Sequence, residues 1–105
     1  MSGAPGRVRI LLYLRATAEQ VAGVEEGYHR ISKDLAGTPG LLGNELLRDL
    51  ADPGAYAVLS EWESMAAFRD WEAGAGHRGT TSPLRAYQDT GRPSPFALFQ
   101  VEAAY

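Results

Sequence analysis

At 105 residues and 11.3 kDa the chain has room for one hydrophobic core and no second domain. With 45% hydrophobic and 22% charged residues it has the composition of a globular domain, which excludes intrinsic disorder. A formal net charge of -3 argues against nucleic acid or an anionic membrane surface as a partner, and the absence of cysteine excludes disulfides, thiolate metal sites and cysteine nucleophiles.

Met1 to Gly6 reads as a disordered terminus. Along Arg7–Arg15 the residues Val8, Ile10, Leu12 and Leu14 alternate, which predicts a strand; its other face carries Leu11 and Tyr13 among three arginines and is partly apolar too. The longest strictly apolar run, Ile10 to Leu14, has five residues, where a membrane span needs roughly 20 and a signal peptide about 7–15. The chain is therefore expected to be soluble and cytoplasmic. Thr17 with Gln20 resembles a capping box and opens a helix, in which Val21, Val24, Tyr28, Ile31 and Leu35 form one apolar stripe. Gly37 closes it and Pro39 bars continuation.

Leu41–Leu50 and Ala55–Trp62 read as two strands joined by the turn Asp52-Pro53-Gly54. Ser64 caps a short helix over Met65–Ala73. Gly74 to Gly79 is expected to be loop, Ser82-Pro83 to start a further helical turn, and Pro95–Ala103 to form the last strand. The order β-α-β-β-α-β predicts an α+β, ferredoxin-like antiparallel sheet with both helices on one face. The strands are apolar on both sides, as Leu41-Leu42, Leu46-Leu47 and Val58-Leu59 illustrate. The uncovered face predicts a homodimer.

Local motifs give little chemistry. Gly74-Ala75-Gly76-His77-Arg78-Gly79 fits G-x-G-x-x-G, but it follows a helix rather than a parallel strand, so no dinucleotide site is expected. The two histidines, His29 and His77, do not make a ligand cluster, and no metal is expected. Ser60 and Ser64 lack a nucleophile elbow. More informative is the third strand, where Tyr56, Val58, Ser60 and Trp62 share a face. Trp62 stands where the chain turns into the helix carrying Phe68 and Trp71, with Arg85 arriving from the next helical segment. Two readings fit: aromatic core packing, or an apolar pocket for a flat ligand with Arg85 as its one charge.

The stretch Leu59-Ser60-Glu61-Trp62-Glu63-Ser64-Met65-Ala66-Ala67-Phe68-Arg69-Asp70-Trp71, with Thr38-Pro39-Gly40-Leu41-Leu42-Gly43 before it, resembles the antibiotic biosynthesis monooxygenase (ABM) family. The likeness runs from about Val8 to Val101. It implies a dimeric α+β barrel, two ferredoxin-like units packed through their sheets. It also implies a cofactor-independent oxygenase, with molecular oxygen as co-substrate, that turns a polycyclic anthrone or phenol into a quinone in aromatic polyketide biosynthesis. In such members a Trp, an Asn four residues before it, a Tyr in the following helix and a later Arg line the pocket. Trp62 and Arg85 match, while Val58 and Phe68 stand at the Asn and Tyr positions. The resemblance thus implies Trp62 and Arg85 as catalytic residues, with His77 as the remaining candidate acid or base. Val58, Ser60, Phe68, Trp71 and Tyr28 are expected to contact the substrate. The heme-degrading branch fits poorly, since Thr81 stands at its axial His position. A polyketide cyclase and a non-catalytic binding dimer are the alternative expectations.

Overall fold

The computed structural model describes residues 6–74 and 77–105, the side chains of residues 77, 78, 80 and 81 excepted. Seven elements follow in order: β1 (Val8–Arg15), α1 (Val21–Leu35), β2 (Leu41–Arg48), β3 (Ala55–Trp62), α2 (Met65–Ala73), α3 (His77–Arg85) and β4 (Phe96–Gln100), with a 3-10 turn over Ala18–Gln20 leading into α1. The strands form one antiparallel sheet in the order β2-β3-β1-β4. This is the α+β, ferredoxin-like arrangement that the element order predicts.

Several boundaries differ from expectation, each for a local reason. Gly6 donates to the Val101 carbonyl at 3.2 Å, so its backbone is tied to the far end of the chain rather than frayed; residues 1–5 lie outside the described residues. The helix after α2 begins at His77, so His77–Gly79 is helical rather than loop, and Pro83 sits inside it instead of opening it. β2 ends at Arg48, where Asp49 turns its carboxylate onto the backbone N–H groups of Ala51 and Asp52. β4 ends at Gln100, short of Ala103. At the start of α1, Gln20 Oε1 accepts the Thr17 backbone N–H at 2.9 Å, as a capping residue should.

Pairing register decides which side chains look inward. Val8, Ile10, Leu12 and Leu14 of β1 stand opposite Trp62, Ser60, Val58 and Tyr56 of β3, and all face the helices. On β2 the register slips between Leu41 and Gly43, after which Asn44 and Leu46 face inward beside Ser60 and Val58. Gly40, at φ +83°, makes the approach to β2 possible: a Cβ there would collide with the Cβ of Ala67 on α2.

The core is in two clusters. Leu14, Ala16, Val24, Ile31, Leu35 and Leu84 form one, and Val8, Ile10, Trp62 and Phe68 the other, with Trp71 packed against both. α1 and α3 come close together because α1 carries Gly27, whose missing side chain leaves room for Leu84 and the Pro83 carbonyl. On the sheet's outward face, Leu11, Tyr13, Ala57 and Leu59 are half-buried, and Leu47 and Phe99 are exposed. Arg9 and Glu61 pair at 3.0 Å at one end of that face, and Arg15 and Asp52 at 2.7 Å at the other. The Arg15 hydrogen bond holds the Asp52 carboxyl below its ordinary value of 3.8.

Candidate active site

Between the two core clusters lies a cavity of about 140 Å³. Its walls come from four directions. Ile10 and Leu12 of β1 with Val58, Ser60 and Trp62 of β3 make the floor, Ile31 and Leu35 of α1 one side, Phe68, Trp71 and Glu72 of α2 another, and Leu84 of α3 closes the far end. Asn44 from β2 and Phe96 from β4 complete the rim. A dry cavity of about 150 Å³ with such walls accommodates a benzene ring. This one takes a single ring, and a larger flat molecule must extend through the open side, where Phe96 is 41% exposed.

Local sequence explains the aromatic wall. Trp62 is the last residue of β3, and Ser64 begins α2 by accepting the Ala67 backbone N–H on its Oγ at 3.1 Å. The corner is tight, so Phe68 and Trp71, three apart on α2, fall directly against Trp62. Ring centroids are 5.6 Å apart for Trp62–Phe68, nearly edge to face, and 5.4 Å for Trp62–Trp71. Both spacings lie in the favourable aromatic range. Trp62 is only 1% exposed, and its indole Nε1 donates to Ser60 Oγ at 3.0 Å, so the ring is fixed before any ligand arrives.

The lining is almost wholly hydrocarbon. Three polar groups interrupt it: the Asn44 amide, the Ser60 hydroxyl and the Glu72 carboxylate. Glu72 accepts from Arg69 at 2.9 Å on the exposed side of α2. Asn44 is held by α1, its carbonyl accepting the Tyr28 hydroxyl at 3.2 Å and its Oδ1 accepting Ser32 Oγ at 3.1 Å.

The cavity brings together Trp62, Val58, Ser60, Phe68 and Trp71, five of the eight residues that the sequence singles out. Tyr28 stands behind it, bracing Asn44, and is not part of the lining. Arg85 is an exposed residue at the end of α3; its neighbour Leu84 occupies the cavity wall, because the helical turn that buries Leu84 directs the next position about 100° away. The backbone of His77 begins α3, and its side chain lies outside the described residues. Sequence reasoning misses Asn44, Glu72, Leu84 and Phe96. Glu72 follows Phe68 at helical spacing, a usable signal, whereas the bulge at Leu41/Gly43 hides the inward direction of Asn44. Among the described residues no group of three or more His, Asp or Glu could hold a metal ion, and no helix is long and apolar enough to cross a membrane.

A model of the antibiotic biosynthesis monooxygenase family matches residues 7–81, most of the strand–helix framework around this cavity. The chain belongs to that family. Two curated relatives are similar in sequence. Protein SchA of Streptomyces halstedii is 33% identical over 81 residues, covering 77% of this chain and 21% of that protein. The 42.8 kDa protein in the whiE locus of Streptomyces coelicolor is 30% identical over 103 residues, covering 85% of this chain and 26% of that protein. The chain therefore spans about a quarter or less of the length of these relatives. Among solved structures, the fold matches SnoaB, a cofactor-independent oxygenase from Streptomyces nogalater, with a TM-score of 0.74 and 24% identity over 96% of this chain and 97% of that one. A conserved protein from Methanosarcina mazei has a TM-score of 0.77 at 11% identity, with 95% and 97% of the two chains covered. The ABM fold thus extends well beyond recognisable sequence similarity.

Proposed function

We propose that the chain is a cofactor-independent monooxygenase that oxidises a polycyclic anthrone- or phenol-type intermediate to a quinone in aromatic polyketide biosynthesis. The observation that carries this reading is the cavity itself: an apolar slot walled by Trp62, Phe68 and Trp71, within an ABM fold. SnoaB, a cofactor-independent oxygenase of the same fold, supports the same chemistry at the level of the family.

In this reaction the methylene carbon of an anthrone loses a proton, and the resulting enolate gives one electron to O₂. The substrate radical and superoxide combine to a peroxide, which loses water to leave the carbonyl. One O₂ is consumed and one water released for each quinone formed. The protein contributes by holding the rings flat against Trp62, by keeping bulk water away and by favouring the anion. Glu72 is the ionisable group among the described lining residues and serves as proton acceptor at the open side. Arg85, matched to the family's arginine, is not among the residues that line the cavity; in this reading Trp62 and Glu72 carry the site.

A homodimer completes the proposal. The outward face of Leu11, Tyr13, Leu47, Ala57, Leu59 and Phe99 supports packing against a second copy.

The test is oxygen uptake by the purified chain with 1,8-dihydroxyanthrone under air, measured above the rate in buffer alone. Uptake matched one to one by quinone, and lost in Trp62→Ala, is the expected result. A chain that consumes no oxygen with any anthrone, yet cyclises a poly-β-ketone anaerobically, is a cyclase instead.

A further inference from the structure

Resting on that reading, we propose that the side-chain amide of Asn44 is the group that binds an oxygen of the aromatic substrate and favours its ionised form. Asn44 lies on β2, directly opposite Ser60 of β3, on the face that looks toward the helices. Two residues one turn apart on α1 fix it. Tyr28 donates to its backbone carbonyl, and Ser32 donates to Oδ1. With Oδ1 occupied, the orientation of the amide is set. Nδ2 retains two hydrogens and has no hydrogen-bond partner among the described residues.

The surroundings decide what those hydrogens are for. Hydrocarbon and aromatic side chains make up nearly all of the lining. The Ser60 hydroxyl accepts from Trp62 and keeps its own O–H as a donor beside Asn44, and the Glu72 carboxylate is an acceptor. The Nδ2 group of Asn44, a lining residue, is therefore the amide donor at the cavity, in a setting where a met donor is strong. An incoming oxygen satisfies it, and an anionic oxygen satisfies it best. Neutral amides act in this way wherever charge develops on oxygen in a water-poor site. The titratable groups facing the position are Tyr28 from α1 and Glu72 from α2. Of these, Tyr28 is committed to the Asn44 carbonyl, and Glu72 at the open side opposes an anion rather than attracting one. Neutral donors, the Asn44 amide first among them with the Ser60 O–H beside it, then set the preference for a phenolate or enolate. β2 supplies the polar contact in a chain whose β3 and α2 carry the apolar Val58 and Phe68 at the corresponding family positions.

The experiment uses 1-hydroxyanthraquinone, whose phenol titrates with a large visible absorbance change and which has no methylene to oxidise. Its pKa is measured free and bound to the wild-type chain, Asn44→Leu and Ser32→Ala. A donor to a charged partner corresponds to a shift of about one to two units, or roughly tenfold to a hundredfold in the ionisation constant. The wild type is expected to lower the bound dye's pKa by that amount. Asn44→Leu, which fills the same space without a donor, should remove most of the shift while the dye still binds, and Ser32→Ala, which frees the amide to rotate, should lose part of it. Binding with an equal shift in wild type and Asn44→Leu overturns the role of Asn44 and leaves the aromatic cavity standing. Failure of the wild type to bind the dye at all overturns both. Should Asn44→Leu fail to fold, an unchanged shift in Ser32→Ala overturns the oriented amide.

Discussion

The indole nitrogen of Trp62 donates to the hydroxyl of Ser60, two positions earlier on the same face of β3, at 3.0 Å. That bond closes a small loop over one side-chain spacing of a strand. It satisfies the indole N–H in a place from which water is excluded, and it holds the ring in the cavity wall.

Both tryptophans of the chain, Trp62 and Trp71, line the cavity, so intrinsic fluorescence is a direct reporter of its occupancy. Titration with a flat aromatic should quench most of the emission. Trp71→Phe and Trp62→Phe should each retain part of the quenching, and Trp62→Phe should also lower stability by about 1–3 kcal/mol, through the lost hydrogen bond and the space left behind. Saturating quenching of surface type, with emission already at the wavelength of exposed indole, would contradict a buried Trp62.

Gly27 controls how near α3 comes to α1. A Cβ there would stand 2.9 Å from Leu84 Cδ2 and 3.0 Å from the Pro83 carbonyl oxygen. Gly27→Ala normally gains helix propensity, yet here overpacking should dominate, with a net loss of about 1–3 kcal/mol. Because Leu84 is the residue displaced, aromatic binding should weaken as well. Thermal unfolding followed by circular dichroism, together with the fluorescence titration, measures both; a raised melting temperature would refute the close approach.

Charge placed on the outward face should act on association and spare the cavity. Phe99 is 55% exposed, and Leu59, which lies across β1 from Ala97 two positions along, shares its outward face. Leu59→Glu with Phe99→Glu is expected to shift sedimentation equilibrium from dimer to an 11 kDa species at micromolar concentration. An unchanged dimer would mean that another surface carries the contact.

The fold is legible in the sequence because its two periodicities are. The alternation of Val8, Ile10, Leu12 and Leu14 and the stripe Val24, Tyr28, Ile31 and Leu35 each express one element without help from distant residues. The aromatic wall is legible for a similar reason: Trp62, Phe68 and Trp71 lie within ten positions, across a single capped corner. The opposite rim is not. Asn44 turns inward only because the register slips at Leu41/Gly43, and Leu84 rather than Arg85 faces the cavity because α3 packs on α1 with Leu84 against Gly27. Such directions depend on the meeting of separate elements, and local pattern does not record them.

The pleat of β3 has a consequence for how variation in this strand is read. Tyr56, Val58, Ser60 and Trp62 look toward the helices, and Ala57, Leu59 and Glu61 look the other way. Consecutive residues therefore face the cavity and the open side of the sheet in turn, which under the proposed function means chemistry on one and assembly on the next. A stepwise scan through the strand should produce phenotypes that change kind at each residue, and a shift of one position would exchange the two roles altogether.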